Sequence, residues 1–223
     1  MIHDMASPPN STAPAGRRAE YAQATRQAIL DAARDLFVDQ GYFGTKVEEI
    51  ARAARVAPAT VYAVGGGKHG LLRTLVESGT TAQDIPGILA RIESLSEPRE
   101  LIRFLVHVTR VKFEQWSDLM RQVAAAAPQE PTVREIQRVA HESLRGGLTL
   151  AAQRLAGLGA LREGLDVTRA ADVLWLYLSN TAYFIRTDDL GWSLDESEAW
   201  LNETLPFALL SAPPQQPEAR CPR

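Results

Sequence analysis

The chain has 223 residues, 45% of them hydrophobic, and a formal net charge of −3. That length allows one large domain or a small domain joined to a larger one with a sizeable core. No stretch approaches the roughly 18 apolar residues of a membrane span, residues 1–18 lack the apolar run of a secretory signal, and a lone cysteine, Cys221, excludes a disulfide framework. A cytoplasmic protein with no membrane partner is the expectation.

Residues 1–16, rich in Pro, Ser, Ala and Thr, are expected to form a disordered arm, and residues 211–223 a similar tail. Between them the hydrophobic spacing is helical nearly throughout. Thr25, Ile29, Ala32, Ala33, Leu36 and Phe37 share one face of a first helix that Gly41 ends. Thr45 and Glu48 read as a capping box for a short second helix that turns Val47, Ile50, Ala51 and Ala54 inward. Pro58 suits the first turn of a third helix, because it lacks the N–H that would go unpaired there. A fourth helix starts near Lys68 and buries Leu71, Leu72, Leu75 and Val76.

Longer helices follow. One starts at Pro98 and runs about five turns through Trp116; Thr132 and Glu135 read as a capping box for the next, which reaches about Leu155. Asp166 caps a helix that runs to Gly191, and Ser193 with Glu196 caps the last, in which Pro206 is expected to cause a kink or an early end. No strand-like alternation or internal repeat is present. The fold class is all-α: a helix-turn-helix domain over 17–66, then a helical domain over 67–210.

The segment Val64-Gly65-Gly66-Gly67-Lys68-His69 suggests a phosphate cradle. A nucleotide-binding P-loop is excluded, since Tyr62 stands where its first glycine belongs and His69 where its hydroxyl residue belongs. Charge separates weakly along the chain. Between Ala15 and Ser78 there are nine bases against seven acids, and elsewhere fifteen against twenty. A mildly basic front is compatible with DNA but does not establish it.

A short helix, a tight turn and a second short helix, packed on a longer one, make a helix-turn-helix whose second helix enters the major groove. Over residues 24–76 the chain resembles the TetR family of transcriptional regulators. The resemblance rests on Thr25-Arg26, Ile29-Leu30, Ala32-Ala33, Leu36-Phe37, Gly41, Thr45, Val47, Ile50-Ala51, Ala54, Val56, Thr60-Val61-Tyr62, Lys68 and Leu71-Leu72. The C-terminal stretches GALREGLDVTRAADVLWLYLSN and DDLGWSLDESEAWLNETL resemble the ligand-binding half of an actinobacterial-type branch. Three positions depart from the pattern: Arg55 replaces a turn glycine, Ala57 replaces a capping serine, and the glycines displace an aromatic at the exit of the third helix. The last change is expected to loosen the joint into the fourth helix.

The resemblance implies a dimeric, ligand-responsive repressor of a double-stranded operator. It also implies that Lys68 and the start of the fourth helix meet a phosphate, with the glycines letting the backbone approach the duplex. Thr60 is the polar side chain that can reach base edges, beside apolar Ala57, Pro58 and Ala59, which suit thymine methyls. Tyr62 is expected on a phosphate, with Thr45 and Lys46 nearby. Arg55, or Arg17 and Arg18 reaching a minor groove from the arm, would supply further readout; a solvated terminus is the other reading of that arginine pair.

For the C-terminal domain the expectation is a homodimer through the last two helices, with Trp175, Leu178, Trp192, Trp200 and Leu201 supplying apolar area. Each tryptophan could instead be internal core. An unknown small-molecule effector is expected in a pocket drawn from Phe104, His107, Trp116, Met120, His141, Asn180 and Tyr183. A metal site from His107, His141 and Glu142 lacks any ligand-spacing motif, so neither cofactor, metal nor catalytic residue is expected. Two alternatives stay open: an all-α enzyme or ligand carrier that no longer binds DNA, and a DNA-binding protein without an effector.

Overall fold

The computed structural model describes residues 13–81 and 85–211. Most of the expected N-terminal arm and all but the first residue of the expected tail, Cys221 included, lie outside the described residues. Among the described residues ten α-helices follow in order: α1 (Ala13–Gly44), α2 (Val47–Ala53), α3 (Pro58–Gly65), α4 (Gly67–Thr81), α5 (Ile85–Ser94), α6 (Pro98–Ala126), α7 (Pro131–Gly157), α8 (Val167–Leu178), α9 (Asn180–Phe184) and α10 (Leu194–Leu209). A π-helical turn, Ile185–Asp189, follows α9. Among the described residues the only β-type pairing is an isolated bridge between Leu161 and Leu210.

Two compact units divide within α4, one ending at Leu75 and the other starting at Val76. In the first, α1 contributes Ile29, Ala33 and Phe37 to the core, α2 contributes Val47, Ile50 and Ala51, α3 contributes Val61, and α4 contributes Leu71, Leu72 and Leu75. These positions recur at helical spacing because each short helix has one apolar stripe to hide, and each large side chain stabilises by about 1.5–3 kcal/mol when buried. The helical run of α1 is interrupted at Gly41, whose φ of 75° is open to glycine at little cost.

In the second unit α6 supplies Leu101, Ile102, Leu105, Val106 and Phe113, and α7 supplies Leu148, Ala151, Ala152 and Leu155. Residues Ala170, Leu174 and Leu178 of α8 and Leu201, Leu205 and Leu209 of α10 close the same core. Ion pairs brace its surface. Arg121 grips Asp188 through two bonds of 2.8 Å, Arg110 reaches Asp195 at 2.6 Å, and Arg145 pairs with Asp172.

Several expectations are corrected. Helix α1 begins at Ala13, so Arg17 and Arg18 are exposed residues of a helix and not of an extended arm. The Ala-, Arg-, Glu- and Gln-rich stretch after Pro14 favours that extension. Lys46 and Glu130, not Thr45 and Thr132, occupy the N-cap positions of α2 and α7. In α7 the reason is Pro131, which fits the first helical position and leaves the preceding residue as cap. Helix α6 continues well past Trp116, and α5 had no counterpart in the sequence reading.

The helix expected between Asp166 and Gly191 breaks at Ser179 (φ −68°, ψ 157°), whose hydroxyl then caps α9. Asp166 does cap α8, accepting from the Arg169 N–H at 2.8 Å. Pro206 does not end α10, which runs on to Leu209 with Pro206 itself buried. The ring packs in the core, where the burial of its apolar carbons offsets part of the lost helix bond.

Candidate functional site

The turn between α2 and α3 requires a left-handed residue, and Arg55 supplies it with φ 56°. The N–H of Val56 closes on Ala51 O at 2.9 Å and that of Arg55 on Arg52 O at 3.2 Å. This pair of bonds is a Schellman closure, which glycine ordinarily serves without Cβ strain. Ala57 then starts α3 with no side-chain cap, so the N–H groups of the first turn lack the partner a serine would give them.

Helix α3 is anchored by fully buried Val61 and turns Pro58, Ala59, Tyr62 and Ala63 outward. Tyr62 is 56% exposed, and Thr60 is half-buried. The exposed face therefore offers small apolar groups and one phenol. Lys46 and Arg55 are exposed beside it.

The glycines after α3 have internal reasons. A Cβ on Gly65 would lie 2.3 Å from Leu71 Cδ2, and one on Gly70 only 1.8 Å from Gly65 O. Gly66 and Gly67 have φ of 66° and 80°, and Gly67 also faces the Tyr62 ring. The motif thus lets α4 start hard against the end of α3, a packing reason within the unit for these glycines. Nor is the joint loose. Arg26 Nη1 donates to Val64 O at 3.1 Å, and Lys68 Nζ donates to Tyr42 O at 2.8 Å and Thr45 O at 3.2 Å.

Lys68 also lies 4.3 Å from the centroid of the Tyr42 ring. Its charge is a tie across the unit first, whatever else it meets. Thr45 is 1% exposed, and its hydroxyl is bonded to Leu36 O and Gly41 O, which withdraws that side chain from the candidate DNA-reading set. An open groove nevertheless gathers Lys46, Tyr62, Gly66, Gly67, Lys68 and His69 along one edge of the unit.

In the second unit a cavity of about 30 Å³, room for roughly two waters, lies among α4, α6, α7 and the α8–α9 break. Its lining brings together four of the seven expected residues: Trp116, Met120, His141 and Asn180. Val76, Gly79, Thr109, Lys112, Phe113, Ala140, Leu144 and Leu178 complete it. Trp116 lies so close to Gly79 that a Cβ there would be 2.7 Å from the indole. His141 meets the Trp175 ring edge-on at 5.2 Å, and burial lowers its pKa, which favours the neutral imidazole.

The other three fall elsewhere. Tyr183, 1% exposed, stacks on Phe113 at 4.6 Å with its hydroxyl 3.3 Å from Thr109 Oγ1, so it backs the lining without reaching the space. Burial raises its pKa. Phe104 packs against the core, and His107 sits at the surface 3.4 Å from Glu198. Glu142 is engaged by Arg138, and among the described residues no three metal-ligating side chains come together.

Sequence reasoning missed Lys112, Phe113 and Gly79. A signal existed: residues 109, 113, 116 and 120 recur at helical spacing on α6, and Lys112 falls beside that largely apolar stripe.

A tight turn, a short outward-facing helix and a separate helical unit with its own cavity define a DNA-binding helix-turn-helix regulator. The family of bacterial regulatory proteins named after TetR matches residues 29–75. The HTH-type transcriptional regulator BetI of Rhizobium meliloti (strain 1021) is 31% identical over 155 residues, which span 66% of this chain and 70% of that one. The chain belongs to the TetR family of transcriptional regulators. Family members bind operator DNA, act as dimers and are not enzymes.

Two solved structures share the fold. A transcriptional regulator of Saccharomonospora viridis in complex with choline has a TM-score of 0.69 at 18% identity, covering 85% of this chain and all of its own. The SmeT–triclosan complex, SmeT being a repressor of Stenotrophomonas maltophilia, gives 0.69 at 21% identity, covering 90% of this chain and all of its own. Among the described residues no helix is long and apolar enough to cross a membrane.

Proposed function

We propose that this regulator is a cytoplasmic repressor of the actinobacterial-type, ligand-responsive branch. It holds a palindromic operator as a homodimer and releases it when a small molecule enters the cavity beside Trp116. The observation that carries the reading is the cavity itself, bounded by Val76 and Gly79 near the end of α4, the same helix whose start carries Lys68. A ligand larger than the present space must move Trp116 or the last turn of α4. The bound molecules of the two structural neighbours support a small-molecule effector.

For the DNA face we assign bases to Thr60 with Ala57, Pro58 and Ala59, and phosphates to Tyr62, Lys46 and Lys68, with Arg55 and the helical pair Arg17 and Arg18 as further cations. Dimerisation is assigned to α8 and α10, which expose Leu176 at 70%, Phe207 at 80% and Trp200 at 37%. Leu178 and Leu201, at 1% and 0% exposure, belong to the core of their own chain and leave the earlier set. Half-sites about 34–36 Å apart would follow from two such units on successive turns of the major groove.

Genome-wide binding followed by footprinting tests this. Two symmetric protected half-sites, and their loss on adding a cognate small molecule, are the expected result. Protection of no segment sinks the DNA reading, and protection that no small molecule relieves sinks the effector.

A further inference from the structure

The lining of the cavity is apolar and aromatic except for a few groups, and one of these is a full charge. Lys112 projects from α6 between Thr109 and Trp116, half-buried, with no ion pair or hydrogen bond among the described residues. The Asn180 side chain, also in the lining, has no hydrogen-bond partner among them either. Other cations of this unit do have partners: Arg110, Arg121 and Arg145 each hold a carboxylate, and buried Arg186 donates to the Ser197 hydroxyl and lies over the Tyr183 ring. An ammonium kept from water without a counter-ion is disfavoured, and burial accordingly lowers the Lys112 pKa.

Resting on the reading of this cavity as the effector site, we propose that the effector is an amphipathic monocarboxylic acid. Its carboxylate meets Lys112 and Asn180, and its apolar body lies against Trp116, Met120 and Leu144. One cation in the lining matches one negative charge; a dianion would leave the second uncompensated. The aromatic lining alone would equally accept a quaternary ammonium, but such a cation would share a small cavity with Lys112 and be repelled. Choline, bound by a structural neighbour, is therefore the wrong charge here. His141, whose neutral form burial favours, can donate a ring N–H to the same carboxylate. It also borders an outer hollow lined by Arg134, Arg138 and Arg145, of which Arg138 pairs with Glu135 and Glu142 and Arg145 with Asp172.

The test uses the full-length protein with hexanoate, decanoate and 4-phenylbutanoate, each beside its primary amide and its trimethylammonium analogue. Binding is read by tryptophan fluorescence and by release of fluorescent operator DNA. At least one acid should bind about tenfold or more tighter than its amide, since a charge-assisted bond is lost with the charge, and the ammonium analogues should bind weakest. Lys112→Met should bring acid and amide to equal affinity, and Lys112→Arg should restore the preference. Preference for an amide or a cation in the wild type overturns the carboxylate class. So does an acid preference that survives in Lys112→Met. If an amide or cation binds and Leu144→Trp blocks it, the effector site stands while the class falls. If nothing in the panel binds, both readings fall.

Discussion

Arg55 carries a backbone conformation that costs a residue with a Cβ on the order of 1 kcal/mol. Arg55→Gly should therefore stabilise the free protein by about that much and raise its thermal midpoint, whereas Arg55→Ala, which keeps the strain, should not. Calorimetry on the three proteins decides it, and equal midpoints would remove the strain argument. Lys112 makes the opposite kind of prediction. Because its folded pKa lies below the 10.5 of an exposed lysine, the unfolded state holds its proton more tightly. The destabilisation is full below the lowered pKa and vanishes as pH rises past 10.5. Ligand-free Lys112→Met should thus melt higher than wild type at neutral pH. That gap should close on titration through the alkaline window, and a gap that widened there would reverse the assignment.

The joint between α3 and α4 shows how a sequence motif acquires meaning only from packing. Gly65, Gly66, Gly67 and Gly70 look equivalent as letters, but their surroundings differ. Gly70→Ala would drive a methyl into Gly65 O, for which there is no room, and overpacking of this kind costs about 1–3 kcal/mol or more. At Gly66 nothing lies within 4 Å, and an alanine there would bear only the left-handed strain, about 1–2 kcal/mol. Thermal unfolding should rank Gly70→Ala as the more damaging, with a parallel loss of operator affinity. The reverse order would mean that α4 does not start against α3 in solution.

For the whole molecule the exposed apolar side chains of α8 and α10 carry the decisive expectation. Leu176 and Phe207 are on the surface, so Leu176→Asp with Phe207→Asp can disrupt an interface without opening the core. Sedimentation at micromolar concentration should show a monomer with an unchanged circular dichroism spectrum and weakened operator binding. A double variant that remains dimeric would place the interface elsewhere. Cutting the chain near Gly164 would be a poorer test, because Leu174, Leu178, Leu201 and Leu205 would leave the core with it.

Helix class, the starts of α3, α4, α6, α8 and α10 and the helix-turn-helix were legible from periodicity and end signals, which act within one or two turns. The burial of Phe37 and Ile50 follows from the same local rules. What distance along the chain decides was not legible. Four of the seven expected cavity residues meet, while His107 and Phe104 lie on faces of α6 that packing directs elsewhere, a difference of only a few residues in phase. The break at Ser179, the continuation through Pro206 and the inward Lys112 likewise depend on neighbours far away in sequence. Pattern determined which surfaces must be buried, because apolar area leaves water wherever a stripe allows it. Tertiary packing alone decided which buried polar group found a partner and which, like Lys112, was left facing an apolar space.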